Sequence, residues 1–168
     1  MLFLSACGSP TAEIPTPEVP PTSVPNDTLA TGVHRDSTDV IKLQPLHGSR
    51  LRFDGVYDQE ASGNLHYYMR FFERGNVALV AGVQKRGDPG MLQDLLTPNA
   101  QSGANNVHNV PVTLRGDSIL FSTMTAKGAI TYAGTFLGGD TLRFLKASDA
   151  TGKKAVLDYV FLPDSPLK

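Results

Sequence analysis

The chain has 168 residues, enough for one ordinary domain and a tail. Fifteen Lys and Arg face sixteen Asp and Glu, and the formal charge of -1 gives no long-range attraction to nucleic acid or anionic lipid. Sixteen glycines, twelve prolines, no tryptophan and only 18% charged residues favour short strands joined by many turns over a helical bundle.

The single cysteine, Cys7, excludes an intrachain disulfide. No apolar run reaches the roughly eighteen residues of a transmembrane helix. Leu4-Ser5-Ala6-Cys7 nevertheless follows an apolar start: apolar, small, small, cysteine. This resembles the lipobox of bacterial lipoproteins. The resemblance implies cleavage before Cys7, lipidation of its sulfur and a firm membrane anchor, each buried methylene adding about 0.8 kcal/mol of membrane affinity. A signal peptide has a basic start and an apolar stretch of roughly 7–15 residues. Here Met1-Leu2-Phe3-Leu4 alone precede the box, so the expected start of the natural chain lies upstream. The alternative is a chance cysteine near a frayed terminus.

Ser9 to Asp27 reads "SPTAEIPTPEVPPTSVPND" and holds Pro10, Pro15, Pro17, Pro20, Pro21 and Pro25. Proline fixes its own φ and drives the preceding residue toward extended geometry. The segment is therefore expected to be a semi-rigid polyproline spacer, with a ligand for a Pro-binding module as the alternative. Residues 1–7 are then a truncated signal and lipobox, 8–27 a tether and 28–168 a β-domain.

Three stretches in that domain share one recipe: "ERGNVALV" from Glu73, "LRGDSILF" from Leu114 and "LGGDTLRF" from Leu137. Gly followed by Asn or Asp between alternating runs is a hairpin signal. A three-residue loop at Glu73-Arg74-Gly75 would pair Phe71 with Val77, Met69 with Leu79 and Tyr67 with Ala81. A two-residue turn at Gly116-Asp117 would pair Leu114 with Ile119 and Val112 with Phe121. A three-residue loop at Gly138-Gly139-Asp140 would pair Phe136 with Leu142 and Gly134 with Phe144. An opening strand is predicted over Leu51 to Asp58 and a last one over Ala155 to Leu162. The alternation predicts one buried face and one wet face. The one long interruption, Gln84 to Asn109, contains "GMLQDLL", one or two helical turns, and a polar loop "TPNAQSGANNVHN".

The predicted fold is all-β: an antiparallel meander of about eight strands with one loop or short-helix insertion, forming a barrel or a sandwich. Gly55-Val56-Tyr57 stands in the first strand where lipocalins place Gly-x-Trp, and a meander follows. From Leu51 to Leu162 the chain thus resembles the lipocalin-like (calycin) barrels, with Tyr in place of Trp. That resemblance implies a small barrel that binds an apolar ligand.

Motifs for chemistry are sparse. Gly116-Asp117-Ser118 resembles the nucleophile block of a hydrolase family, but Ser118 follows a hairpin turn, and no Asp-x-x-His or Gly-x-Ser-x-Gly accompanies it. Arg-Gly-Asp occurs at Arg86-Gly87-Asp88 and at Arg115-Gly116-Asp117, and in the second the turn explains the residues. His34, His47, His66 and His108 show no metal-ligand spacing and read as surface or loop histidines, so no metal or cofactor is expected. Asp54, Asp58 and Glu60 read as turn caps. His66, Tyr68, Arg70 and Phe72 alternate on one strand and so share a face. That face is either solvated or, in the other register, a pocket wall where Arg70 meets an anionic head group; burial of an unpaired Arg disfavours the pocket. The sequence therefore points to a non-enzymatic barrel, lipid-anchored through Cys7 in a bacterial envelope, facing the periplasm or the cell surface. It would bind a small apolar or amphipathic ligand and no nucleic acid. An interaction module for another envelope protein is the second reading, and an enzyme the third.

Overall fold

The computed structural model describes residues 42–85 and 91–164. Cys7, the Pro-rich segment, His34 and Arg86-Gly87-Asp88 lie outside them. The described chain is all-β. Its strands are β1 (Gly55–Glu60), β2 (Leu65–Phe72), β3 (Asn76–Val83), β4 (His108–Pro111), β5 (Thr113–Arg115), β6 (Ser118–Thr125), β7 (Gly128–Gly138), β8 (Thr141–Ser148) and β9 (Lys154–Pro163). Short 3-10 turns occupy Ser62–Asn64, Leu92–Leu95 and Ala104–Asn106.

All pairings are antiparallel, in the order β4-β3-β2-β1-β9-β8-β7-β6-β5. Because β1 pairs with β9, the sheet curls into a nearly closed barrel. The break is bridged by one continuous segment. Its first half, β4, pairs with β3, and its second half, β5, pairs with β6. Between them Val112 turns into the core and donates its N–H to the Gly75 carbonyl at 2.9 Å. About eight strands were expected, and the nine observed include this interrupted one.

The hairpin registers follow the turn chemistry. Phe71 pairs with Val77, Met69 with Leu79 and Tyr67 with Ala81. Leu114 pairs with Ile119, Phe136 with Leu142 and Gly134 with Phe144. Gly75 has φ of 111°, a conformation open to glycine, and a Cβ there would lie 2.2 Å from the Gln44 carbonyl oxygen. The last hairpin differs in detail from its predicted three-residue loop. Gly138 pairs with Thr141, leaving Gly139-Asp140 as a two-residue turn, and Leu137 is taken up as a bulge in β7.

The first strand starts later than the predicted Leu51. Residues 51–54 instead cross the end of the barrel, burying Leu51 and packing Phe53 against the core. The Arg52 N–H donates to the Tyr57 hydroxyl at 3.0 Å, and its guanidinium lies over the Phe161 ring at 4.1 Å while pairing with Asp54 and Asp140. Leu46 closes the same end, its N–H on the Glu73 carbonyl at 2.8 Å. Inside, Tyr57, Phe71, Phe121, Phe144, Tyr159 and Phe161 interlock mainly edge to face. This half of the barrel is filled.

Around β2 and β3 the expectation of a wet outer face fails. Tyr68, Ala78 and Val80 are buried there beneath Leu96 and Val107 of the insertion, with Val56 in the same cluster. The stretch predicted as a polar loop is therefore a cover, seated by its few apolar residues. Buried Asn76 fastens it: its amide donates to Asn109 Oδ1 at 2.6 Å and to the Pro98 carbonyl at 3.3 Å, and its oxygen accepts from Arg74 Nε at 2.8 Å.

Candidate functional site

Period-two alternation fixes where each side chain of β2 points. Tyr67, Met69 and Phe71 face the barrel interior, which places His66, Tyr68, Arg70 and Phe72 on the outer face, Tyr68 and Phe72 packed against the insertion. His66 Nδ1 lies 3.1 Å from both Asp58 carboxylate oxygens, and its ring stacks on Tyr68 at 5.3 Å. Burial pushes the Asp58 carboxyl up, against the pull of His66. Arg70 forms a two-pronged ion pair with Asp164 and leaves its buried Nε without a partner. Phe72 packs against the second core.

A groove of about 830 Å³ runs beside Arg70 and Phe72, bordered by Asp54, Asp94 and Asp164. Its one cation is already neutralised by Asp164, and the remaining charged groups are acids. It offers little to an anionic ligand.

The unfilled half of the barrel is different. At the end where the β1–β2, β6–β7 and β8–β9 turns meet, a cavity of about 340 Å³ opens between the sheet walls. Leu79 and Ile130 supply aliphatic wall, and Tyr67, Tyr132 and Tyr159 supply aromatic faces. His108 and the buried Thr123 add polar groups, and Tyr68 also borders the space. Burial pushes the Tyr132 phenol up to about 12 and Tyr159 higher still. Both phenols are thus neutral donors at any physiological pH.

Lys146 stands in this wall. Leu142, Phe144 and Lys146 follow one another on the inner face of β8, so the alternation that buries two apolar side chains also turns an ammonium inward. Its Nζ lies 5.3 Å from the Tyr67 ring centroid and 5.8 Å from that of Tyr132. Burial holds its pKa below the usual lysine value. Among the described residues no carboxylate pairs with it.

The sequence reading did not single out Lys146, Tyr132 or Tyr159 as a site. The usable clue was Lys146 at an inward position of "LRFLKAS". Of the predicted surface or loop histidines, His66 is hydrogen-bonded to Asp58 and half-buried and His108 borders the cavity, whereas His47 is exposed. Ser118 and Arg115-Gly116-Asp117 are exposed at the β5–β6 turn. No group of three His, Cys, Asp or Glu among the described residues could hold a metal. Comparison with family models, curated proteins and solved structures finds no significant match.

Proposed function

We propose that this chain is a lipid-anchored protein of a bacterial envelope whose barrel binds a small amphipathic ligand at its open end, without catalysing a reaction. The observation that carries the reading is the cavity of about 340 Å³, mostly aromatic and aliphatic wall with a few phenols and one ammonium among it. Small-molecule sites are mostly apolar, with a few convergent polar groups, and span roughly 300–1,000 Å³. The anchor rests on the lipobox-like residues before and at Cys7, and the Pro-rich tether supports it.

The test is native mass spectrometry of the full chain carrying Cys7→Ala, purified without detergent from an exporting host. A reproducible, extractable extra mass supports the reading. A bare protein that also fails to take up apolar probes overturns it. In parallel, the chain extended upstream by a basic, apolar signal segment that leaves Leu4-Ser5-Ala6-Cys7 in place should take up labelled fatty acid and sediment with membranes, and the same chain carrying Cys7→Ala should do neither.

A second reading, docking to another envelope protein, is favoured by a separate observation. Leu145, Val156, Val160 and Leu162 lie on the outer face of β8 and β9, each more than 40% exposed. Cross-linking through that face to one partner, with an empty barrel, would favour it over the ligand reading.

A further inference from the structure

The cavity at the open end adjoins a second hollow of about 350 Å³. The two share Tyr67 and Lys146, and the outer one is also lined by Gln59, Ser148, Lys153 and Lys154. Three lysines therefore border the outer hollow and no carboxylate does. Lys146 stands on the inner face of β8, whereas Lys154, two residues before the outward Val156, borders it from the outer rim. Glu60 and Asp149, the acids nearest in sequence, line neither space.

The β8–β9 turn, which ends at Lys153 just before Lys154 opens β9, is held in place. Ser148 donates to the Lys153 carbonyl at 3.0 Å, and the Gly152 N–H donates to the Ser148 carbonyl at 2.8 Å. Among the described residues none of these three lysines has an ion-pair partner. Like charges gathered at the edge of a low-dielectric space repel one another, and a half-buried ammonium loses hydration. A bound anion would relieve both costs. A further unmet group lies in the same hollow: Gln59 Oε1 is buried without a donor, while its Nε2 donates to the Glu60 carbonyl at 2.9 Å.

We propose that the two hollows are one site for an amphipathic ligand with a phosphoryl head, which rests on the ligand-binding reading above. The apolar part lies against Leu79, Ile130 and Tyr132, and the head lies between Lys146 and Lys153, with Lys154 at the outer rim. A phosphate monoester carries about 1.5 to 2 negative charges near neutral pH, against about one for a carboxylate, and so matches several converging ammonium groups better. A hydroxyl on the ligand head would satisfy Gln59 Oε1. Neutral phenols at Tyr132 and Tyr159 leave the cavity free of competing negative charge.

Calorimetric titration of the full chain carrying Cys7→Ala tests this with dodecyl phosphate, dodecanoate and dodecanol, each below its aggregation limit. Dodecyl phosphate should bind about tenfold more tightly than dodecanoate, and dodecanol more weakly than either. In Lys153→Gln/Lys154→Gln, two exposed positions that leave the fold intact, that preference should shrink while dodecanol binding stays unchanged. Lys146→Gln should remove most of what remains. Equal affinity for all three probes would overturn the head-group assignment and leave the amphipathic-ligand reading standing. Binding of none would overturn both. Co-sedimentation with vesicles containing phosphatidic acid, and not with phosphatidylcholine alone, assigns the head to a membrane lipid. Binding of dodecyl phosphate without co-sedimentation assigns it to a free ester, and either result supports the phosphoryl site.

Discussion

The ring of Phe144 occupies the space that a side chain at residue 134 would fill: a Cβ built on Gly134 would lie 2.2 Å from Phe144 Cε1. The two residues are direct cross-strand partners on β7 and β8, and both are buried. The missing side chain lets a large ring lie against the sheet, where it meets Phe121, Tyr132 and Tyr159. Gly134→Ala should therefore destabilise the barrel by about 1–3 kcal/mol, as overpacking does. Phe144→Ala should cost about 3–5 kcal/mol. The double variant should cost clearly less than the sum, because each change relieves the other. Denaturant unfolding of the four proteins measures the coupling, and strict additivity would refute the account.

This pair was legible in the sequence because a turn recipe of Gly with Asp or Asn fixed the register of "AITYAGTFLGGDTLRF". The same reasoning located the cores of β2 and β3. It could not see the cover, because Leu92, Leu96 and Val107 are scattered through polar residues with no period, and they find their places only once the sheet exists. That is why the face of His66, Tyr68, Arg70 and Phe72 read as either solvated or inward, when it is outward and covered. Lys146 was overlooked for another reason. A single lysine in an alternating strand draws no notice until one asks which wall it joins.

Asn76 and Asn109 hold that cover. Asn109 Nδ2 donates to the carbonyls of Pro98 at 3.0 Å and Ala100 at 2.9 Å, and its backbone exchanges hydrogen bonds with Ser102. Asn76 is 3% exposed, so its removal strands several buried polar groups. Asn76→Ala should cost about 1–3 kcal/mol. Its larger signature should be local: amide exchange should accelerate across residues 92–107 while β7 and β8 stay protected. Uniform acceleration across all strands would mean that the network supports the barrel as a whole and not the cover.

Alkaline pH should unfold the domain in a defined window. The Tyr132 phenol rises from about 10 to about 12 on folding, and Tyr159 rises further. For an acid whose folded pKa is raised, the stability is fully present below the unfolded value and is lost as pH climbs through the folded one. For Tyr132 this amounts to roughly 2–3 kcal/mol lost between about pH 10 and 12. Lys146 works in the opposite sense, since its lowered pKa is a cost present at neutral pH, relieved as pH climbs from that lowered pKa to the ordinary lysine value and gone above it. Two buried phenols outweigh one half-buried ammonium. Denaturation midpoints should therefore fall steeply above about pH 10, and Tyr132→Phe should flatten part of the fall. A midpoint that is level from about pH 9 to 12 would contradict this.

Lys146 separates what serves stability from what serves binding. Its side chain is turned inward, loses hydration and gains only two weak ring contacts in return. Lys146→Met keeps the length and most of the volume while removing the charge. The ring contacts are worth about 0.5–1 kcal/mol each at exposed sites, and the desolvation they fail to offset is larger. The variant should therefore be more stable than the parent, by about 1 kcal/mol or a few degrees in Tm. It should also lose part of its preference for anionic over neutral amphiphiles, the remainder resting on Lys153 and Lys154. For the parent, anion affinity should decline as pH rises through the lowered Lys146 pKa, because only the ammonium form attracts the head; for Lys146→Met that step should be missing. Arg70→Ala, by contrast, breaks a pair on the outer face and should leave affinity unchanged while lowering stability. A stabilised Lys146→Met that discriminates anions as strongly as the parent would separate the cation from recognition. A destabilised one that binds normally would make Lys146 a packing residue, and the anion site would have to lie elsewhere.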